Sequence, residues 1–101
     1  EKDSMEISSM PEVFGNKLRL SVISALVTGE KSFSELKKYT DATPGNLGAQ
    51  LLKLEEWGYI SCKKEFVGKK PQSSYRLTET GISNFKEYVE MLEEVLKSME
   101  A

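Results

Sequence analysis

The chain has 101 residues, 39% of them hydrophobic and 30% charged, with a formal net charge of −2. That is the size of one domain with a single core, and no apolar run approaches the roughly 20 residues that a membrane helix needs. There is no histidine and only one cysteine, Cys62, which removes the commonest general base and metal ligand, leaves no internal disulfide, and suits a reducing cytoplasm.

The first ten residues, EKDSMEISSM, lack the apolar region of a signal peptide, so a cytoplasmic location is expected. Met5, Ile7 and Met10 could anchor a short helix there. Residues 16–27 read as a helix whose apolar face is Leu18, Val22, Ile23, Leu26 and Val27, ended by Gly29. Lys31, Ser32 and Phe33 fit a one-bridge strand, followed by a short helix with two rival starts. Ser34 can cap it with Glu35 in the first turn, or Ser32 and Glu35 can form a capping box two residues earlier. Leu36 and Tyr39 are expected to face inward, and Thr40, Asp41 and Ala42 to turn the chain.

The next helix is the best signalled. Thr43 is a good N-cap and Pro44 fills the first helical position, where its missing N–H costs nothing. Leu47, Leu51 and Leu54 form one apolar stripe, and Gly58 can take the left-handed conformation that stops the helix. With the preceding short helix this makes a helix-turn-helix. Residues 59–66 and 73–77 then read as two strands joined by a basic loop over residues 67–72. Alternation places Ile60, Phe66, Tyr75 and Leu77 on the core, with Lys63 and Arg76 outward. Cys62 fits a small strand residue better than a redox switch. Thr78 caps the last helix, in which Ile82, Phe85, Val89, Leu92, Leu96 and Met99 keep heptad spacing and Tyr88 and Val95 widen the seam. These eight residues are the expected interface of a homodimer, since three heptads exceed what one domain edge needs.

A helix followed by a basic hairpin is the layout of a winged helix, and the sequence carries a matching motif. The run TPGNLGAQLLKLEEWGYI, followed by FVGKKPQSSYRLTETG, resembles small single-domain transcription regulators of the MarR/ArsR type. The pattern T-x-G-N-L-x-x-x-L-x-K-L-E-x-x-G-Y, then G-[KR]-[KR]-P, is the specific part, and the likeness covers about residues 16–96. The resemblance implies a mainly α fold with a small β-hairpin, an α+β winged helix-turn-helix. It implies three parts within a single domain: an N-terminal segment over residues 1–15, the helix-turn-helix and wing over 16–77, and a C-terminal dimerisation helix over 78–101. It further implies a cytoplasmic, prokaryotic homodimer acting as a repressor on a pseudo-palindromic operator in double-stranded DNA. Regulators of this type sometimes bind a small-molecule effector near the dimer interface, but no polar constellation in this chain defines such a site. The family position of Arg19 is usually structural rather than a DNA contact.

Charge distribution agrees. Residues 16–42 carry net +2 and residues 43–77 net +3, whereas residues 1–15 carry −3 and residues 78–101 carry −4. A basic middle between acidic ends fits phosphate contact at the centre. A recognition helix lays its N-terminal half against base edges. With Leu47 inward, Gly45, Ala49 and Leu52 face the groove, Pro44 and Gly48 flank them on one side, and Asn46, Gln50 and Lys53 on the other. Thr43 lies near the phosphates. Related regulators often carry Ser and His where this chain has Gly48, Ala49 and Gln50, so direct readout is sparse. The glycines either admit the backbone close to the duplex or mark a surface not built for base reading. Asn46 and Gln50 are the best base readers, their amides suiting adenine. At the wing, Lys69, Lys70, Gln72, Ser73 and Ser74 offer cations and hydroxyls to phosphate or the minor groove.

No catalytic residue, cofactor or metal is expected: Cys62 has neither a histidine to activate it nor a second cysteine to share a metal. The alternative function is a winged helix used for protein association, with Leu52 and Trp57 as the contact patch.

Overall fold

Local capping decides where each helix begins. The computed structural model describes residues 12–100, so the expected short helix around Met5, Ile7 and Met10 lies outside the described residues. A 3-10 turn, Glu12–Gly15, leads into α1, Lys17–Leu26. Asn16 starts α1 from an extended backbone, its side-chain oxygen accepting the Arg19 amide at 2.9 Å. Val22, Ile23, Ala25 and Leu26 are buried, but Val27 is 55% exposed and does not join the apolar face. It is the C-cap, and the chain turns away after it through Gly29 at φ +134°.

The capping box wins at the next helix. β1, Lys31–Ser32, runs into α2, Phe33–Thr40, so Phe33 is helical rather than extended. Ser32 Oγ accepts the Glu35 amide at 3.1 Å, and Glu35 Oε1 accepts the Ser32 amide at 2.8 Å. Two otherwise unpaired donors are satisfied together, which Ser34 alone could not achieve. Leu36 is fully buried, whereas Tyr39 is 58% exposed and not inward as expected. Tyr39 stands about 60° around the helix from Leu36, beyond the narrow stripe that eight residues can bury. Asp41 ends α2 in the left-handed region at φ 58°.

α3, Pro44–Glu56, follows Thr43, whose hydroxyl accepts the Asn46 amide at 3.2 Å. Leu47, Leu51 and Leu54 are no more than 2% exposed and pack with α1 and Leu36 in the core. Gly58 takes φ +80°, as its place after the helix requires.

The hairpin is longer than the sequence spacing implies. β2 is Ile60–Val67 and β3 is Lys70–Leu77, so the expected six-residue loop is a two-residue turn, Gly68 and Lys69. Gly68 has φ +67° at the first central position, which a type II′ hairpin reserves for glycine. The strands pair in antiparallel order β1-β3-β2. Burial decays along one face of β2: Ile60 is 3% exposed, Cys62 half-buried and Phe66 72% exposed. Phe66 therefore does not pack on the core, because the hairpin projects past it. Leu77 and Tyr75, at the foot, do pack there.

α4, Glu79–Ser98, is capped by Thr78, whose hydroxyl accepts the Gly81 amide and donates to the Gly58 carbonyl. Gly81 is required by close approach: a Cβ there would meet the backbone carbonyl of Tyr59. Phe14 ties the 3-10 turn to α4 by stacking on Tyr88 at 4.6 Å and packing near Phe85 and Tyr59.

Candidate nucleic-acid interface

With Leu47, Leu51 and Leu54 turned in, the opposite face of α3 is left to solvent. Thr43, Pro44, Gly45, Asn46, Ala49 and Lys53 are exposed there, and Gly48 and Gln50 lie on its flanks, Gln50 half-buried. Thr43 accepts the Asn46 amide, which leaves its O–H proton able to donate at the helix N-terminus. Glycine and alanine make the outermost surface smooth, with Leu52 its main bulk, at 56% exposure.

Lys69, Lys70 and Gln72 are exposed at the tip of the hairpin, and Ser73 is half-buried. Ser74 is only 5% exposed, paired with both Lys63 and Ser32 at the foot of the wing. Ser74, expected among the wing's contact residues, thus sits away from the tip: with the turn at Gly68 and Lys69 it is the fifth residue of β3 and is covered there by β1 and β2.

Arg19 supports α3 from beneath. It is 6% exposed, with Nε donating to the Val13 carbonyl and Nη2 to the Glu12 carbonyl, both at 3.0 Å. Nη1 donates to Gln50 Oε1 at 2.8 Å, and the guanidinium lies 5.2 Å from the Trp57 ring centroid. One side chain of α1 therefore joins the 3-10 turn, the middle of α3 and its C-cap, the structural role that the family position implies. Its contact with Gln50 crosses 31 positions and leaves no local signal.

The seam of α4 divides. Phe85 and Tyr88 are partly buried against Phe14, and Leu92 is half-buried. Ile82 (48%), Leu96 (58%) and Met99 (75%) are exposed, and Val89 and Val95 are open to a lesser degree. A cleft of about 440 Å³ opens beside Ile82 and Phe85, lined also by Leu26, Val27 and Leu77, with Glu30, Arg76 and Lys86 contributing charge of both signs. No local pattern announces it, since it is assembled from α1, β3 and α4.

Residues 18–96 match the profile of the winged helix DNA-binding domain family. The chain belongs to that family. Its winged helix superimposes on that of a transcriptional regulator homologue from Pyrococcus horikoshii OT3 with a TM-score of 0.81 and 26% identity, covering 92% of this chain and 93% of the other. A protein of Enterococcus faecalis V583 assigned to the MarR family of transcriptional regulators gives the same TM-score of 0.81 at 21% identity, over 99% of this chain and 91% of its own. An uncharacterized protein of Methanocaldococcus jannaschii is 29% identical over 90 residues, 88% of this winged-helix chain and 98% of that protein. The MarR-like winged helix expected from the motif is thus the fold observed. Among the described residues, no helix is long and apolar enough to cross a membrane, and no group of three or more His, Cys, Asp or Glu could hold a metal ion.

Proposed function

We propose that this winged helix is a transcription regulator that binds a pseudo-palindromic operator as a homodimer and represses by occluding the promoter. The observation that carries the reading is the pairing of an exposed α3 face with a lysine-tipped wing in one basic segment. α3 enters the major groove, where Asn46 and Gln50 meet base edges and Lys53 meets the backbone. Lys69 and Lys70 contact phosphates beside it, with Gln72 and Ser73 close by. Residues 1–15, 16–77 and 78–101 serve as N-terminal segment, DNA-binding unit and dimerisation helix. The open cleft near Ile82 is where an apolar effector would bind.

The first test is fluorescence anisotropy with random-sequence duplex DNA at two salt concentrations. Binding at about 50 mM salt that falls steeply by about 200 mM is expected; no binding at the lower salt overturns the reading. Replacing Lys69 and Lys70 by Ala lowers the salt slope by about 0.9 for each phosphate that is no longer neutralised; an unchanged slope removes the wing from the interface.

Sedimentation tests the dimer. The exposed Ile82, Leu96 and Met99 support it, and truncation after Glu87 should leave a monomer. A truncated protein that sediments as the dimer removes the seam.

The protein-association reading draws on the exposure of Leu52 (56%) and Trp57 (40%). Trp57, however, already covers the Arg19 guanidinium, which gives it a role within the chain.

A further inference from the structure

We propose that Gln50 reads guanine, because Arg19 fixes its carboxamide as a hydrogen-bond donor toward the groove. The proposal rests on the DNA-binding reading above and adds the base that this position selects. Arginine carries five N–H donors and no acceptor, so the group facing Nη1 at 2.8 Å has to be the Gln50 oxygen and not its nitrogen. The usual ambiguity between the two ends of an amide is therefore settled by chemistry.

The Arg19 side of this contact is rigid. Arg19 is 6% exposed as a residue, and its guanidinium is held by two backbone carbonyls at 3.0 Å and lies over the Trp57 ring. Releasing the Gln50 oxygen would leave a buried, charged N–H without its partner, which is costly. Gln50 is half-buried on the flank of α3. With its oxygen turned inward, the Nε2 amide is the end that faces out.

A donor-only group does not suit the residue type's usual partner. Bidentate pairing with adenine needs an acceptor for N6 as well as a donor for N7. Guanine presents N7 and O6 in the major groove, so both amide hydrogens find an acceptor, whereas thymine offers O4 alone beside its methyl, adenine sets a donor beside N7, and cytosine presents a donor. Asn46, one turn earlier, has no such inward tie through Arg19 and keeps both ends for adenine. Arg19 is a positioning residue here, acting on the base only through Gln50.

Selection from a random duplex pool, run in parallel on the full chain and on Gln50→Glu, tests this. The carboxylate keeps an acceptor for Arg19 but turns an acceptor outward as well. One operator position should change from guanine to cytosine between the two proteins, with about a ten-fold reversal of preference at that position. A wild-type preference for any base other than guanine there, or no position that responds to residue 50, overturns the proposal. Arg19→Met is the second variant, checked for folding by circular dichroism. It frees the carboxamide to turn, so adenine should gain on guanine at the same position; an unchanged guanine preference in the folded variant overturns the positioning role. Failure of the wild type to retain any duplex would instead overturn the DNA-binding reading itself.

Discussion

α3 and α4 carry apolar stripes that look alike in the sequence and meet opposite fates. Leu47, Leu51 and Leu54 of α3 are sealed at 2% exposure or less, while Leu96 and Met99 of α4 stand 58% and 75% exposed. Periodicity says that a face is apolar; topology decides what covers it. α3 sits over α1 and the foot of the sheet, whereas α4 leaves the hairpin held by Phe85 and Tyr88 against Phe14, with Met91 buried one turn further on, and is open beyond that. The stripe of α3 stabilises the monomer, and the outer end of that of α4, Leu96 and Met99, is surplus to it.

The sharpest way to break this contrast is a pair of matched truncations. Leu47→Ala should destabilise the fold by about 2–5 kcal/mol in urea unfolding, the range for a buried leucine. Leu96→Ala should change the stability of a dilute sample by under about 0.5 kcal/mol, as at ordinary surface sites, and should act on self-association instead. Equal losses would mean that α4 is part of the monomer's core. At the joint between the two regions, Gly81→Ala drives a methyl into the Tyr59 carbonyl. About 1–3 kcal/mol is expected, since backbone there cannot easily yield; a neutral result in thermal unfolding would show that α4 can shift on its seat.

The smallest effect is silent at neutral pH. Burial, with Cys62 close by, pushes the Tyr75 phenol up to about 12 from its ordinary 10.0. The unfolded chain ionises first, so stability is intact below about pH 10 and declines between about pH 10 and pH 12. Tyr75→Phe should flatten that decline in pH-dependent denaturation, which would place the foot of β3 with the sealed region.

The same contrast explains what can be read in advance. Thr43, Pro44, Gly58 and the three leucines of α3 act through neighbours within a few positions, so their roles are visible in the sequence. The motif likewise points to the winged helix. Val27, Tyr39 and Phe66 defeat the pattern because it assigns a face and not its extent: a cap, the rim of a short helix and a projecting strand each lie beyond the core. The short turn at Gly68 and Lys69 is hidden by Pro71, which reads as a loop residue. Pro71 fits a strand here because β1 pairs only with Ser74 and Tyr75, leaving the outer edge of β3 without a neighbour among the described residues. The Arg19 network is partly legible, as a structural arginine; its tie to Gln50 depends on how helices distant in sequence come together.

That open edge matters for solubility. A wing of eight-residue strands exposes two sheet borders that could template pairing with another chain. On β3, Pro71 has no N–H to offer an incoming strand, and Lys70 adds charge beside it; on β2, Lys63, Lys64 and Glu65 crowd the other border with charge. The hairpin that holds out cations is also built to refuse a further strand, so crowded copies of the protein are kept from zipping together through their wings.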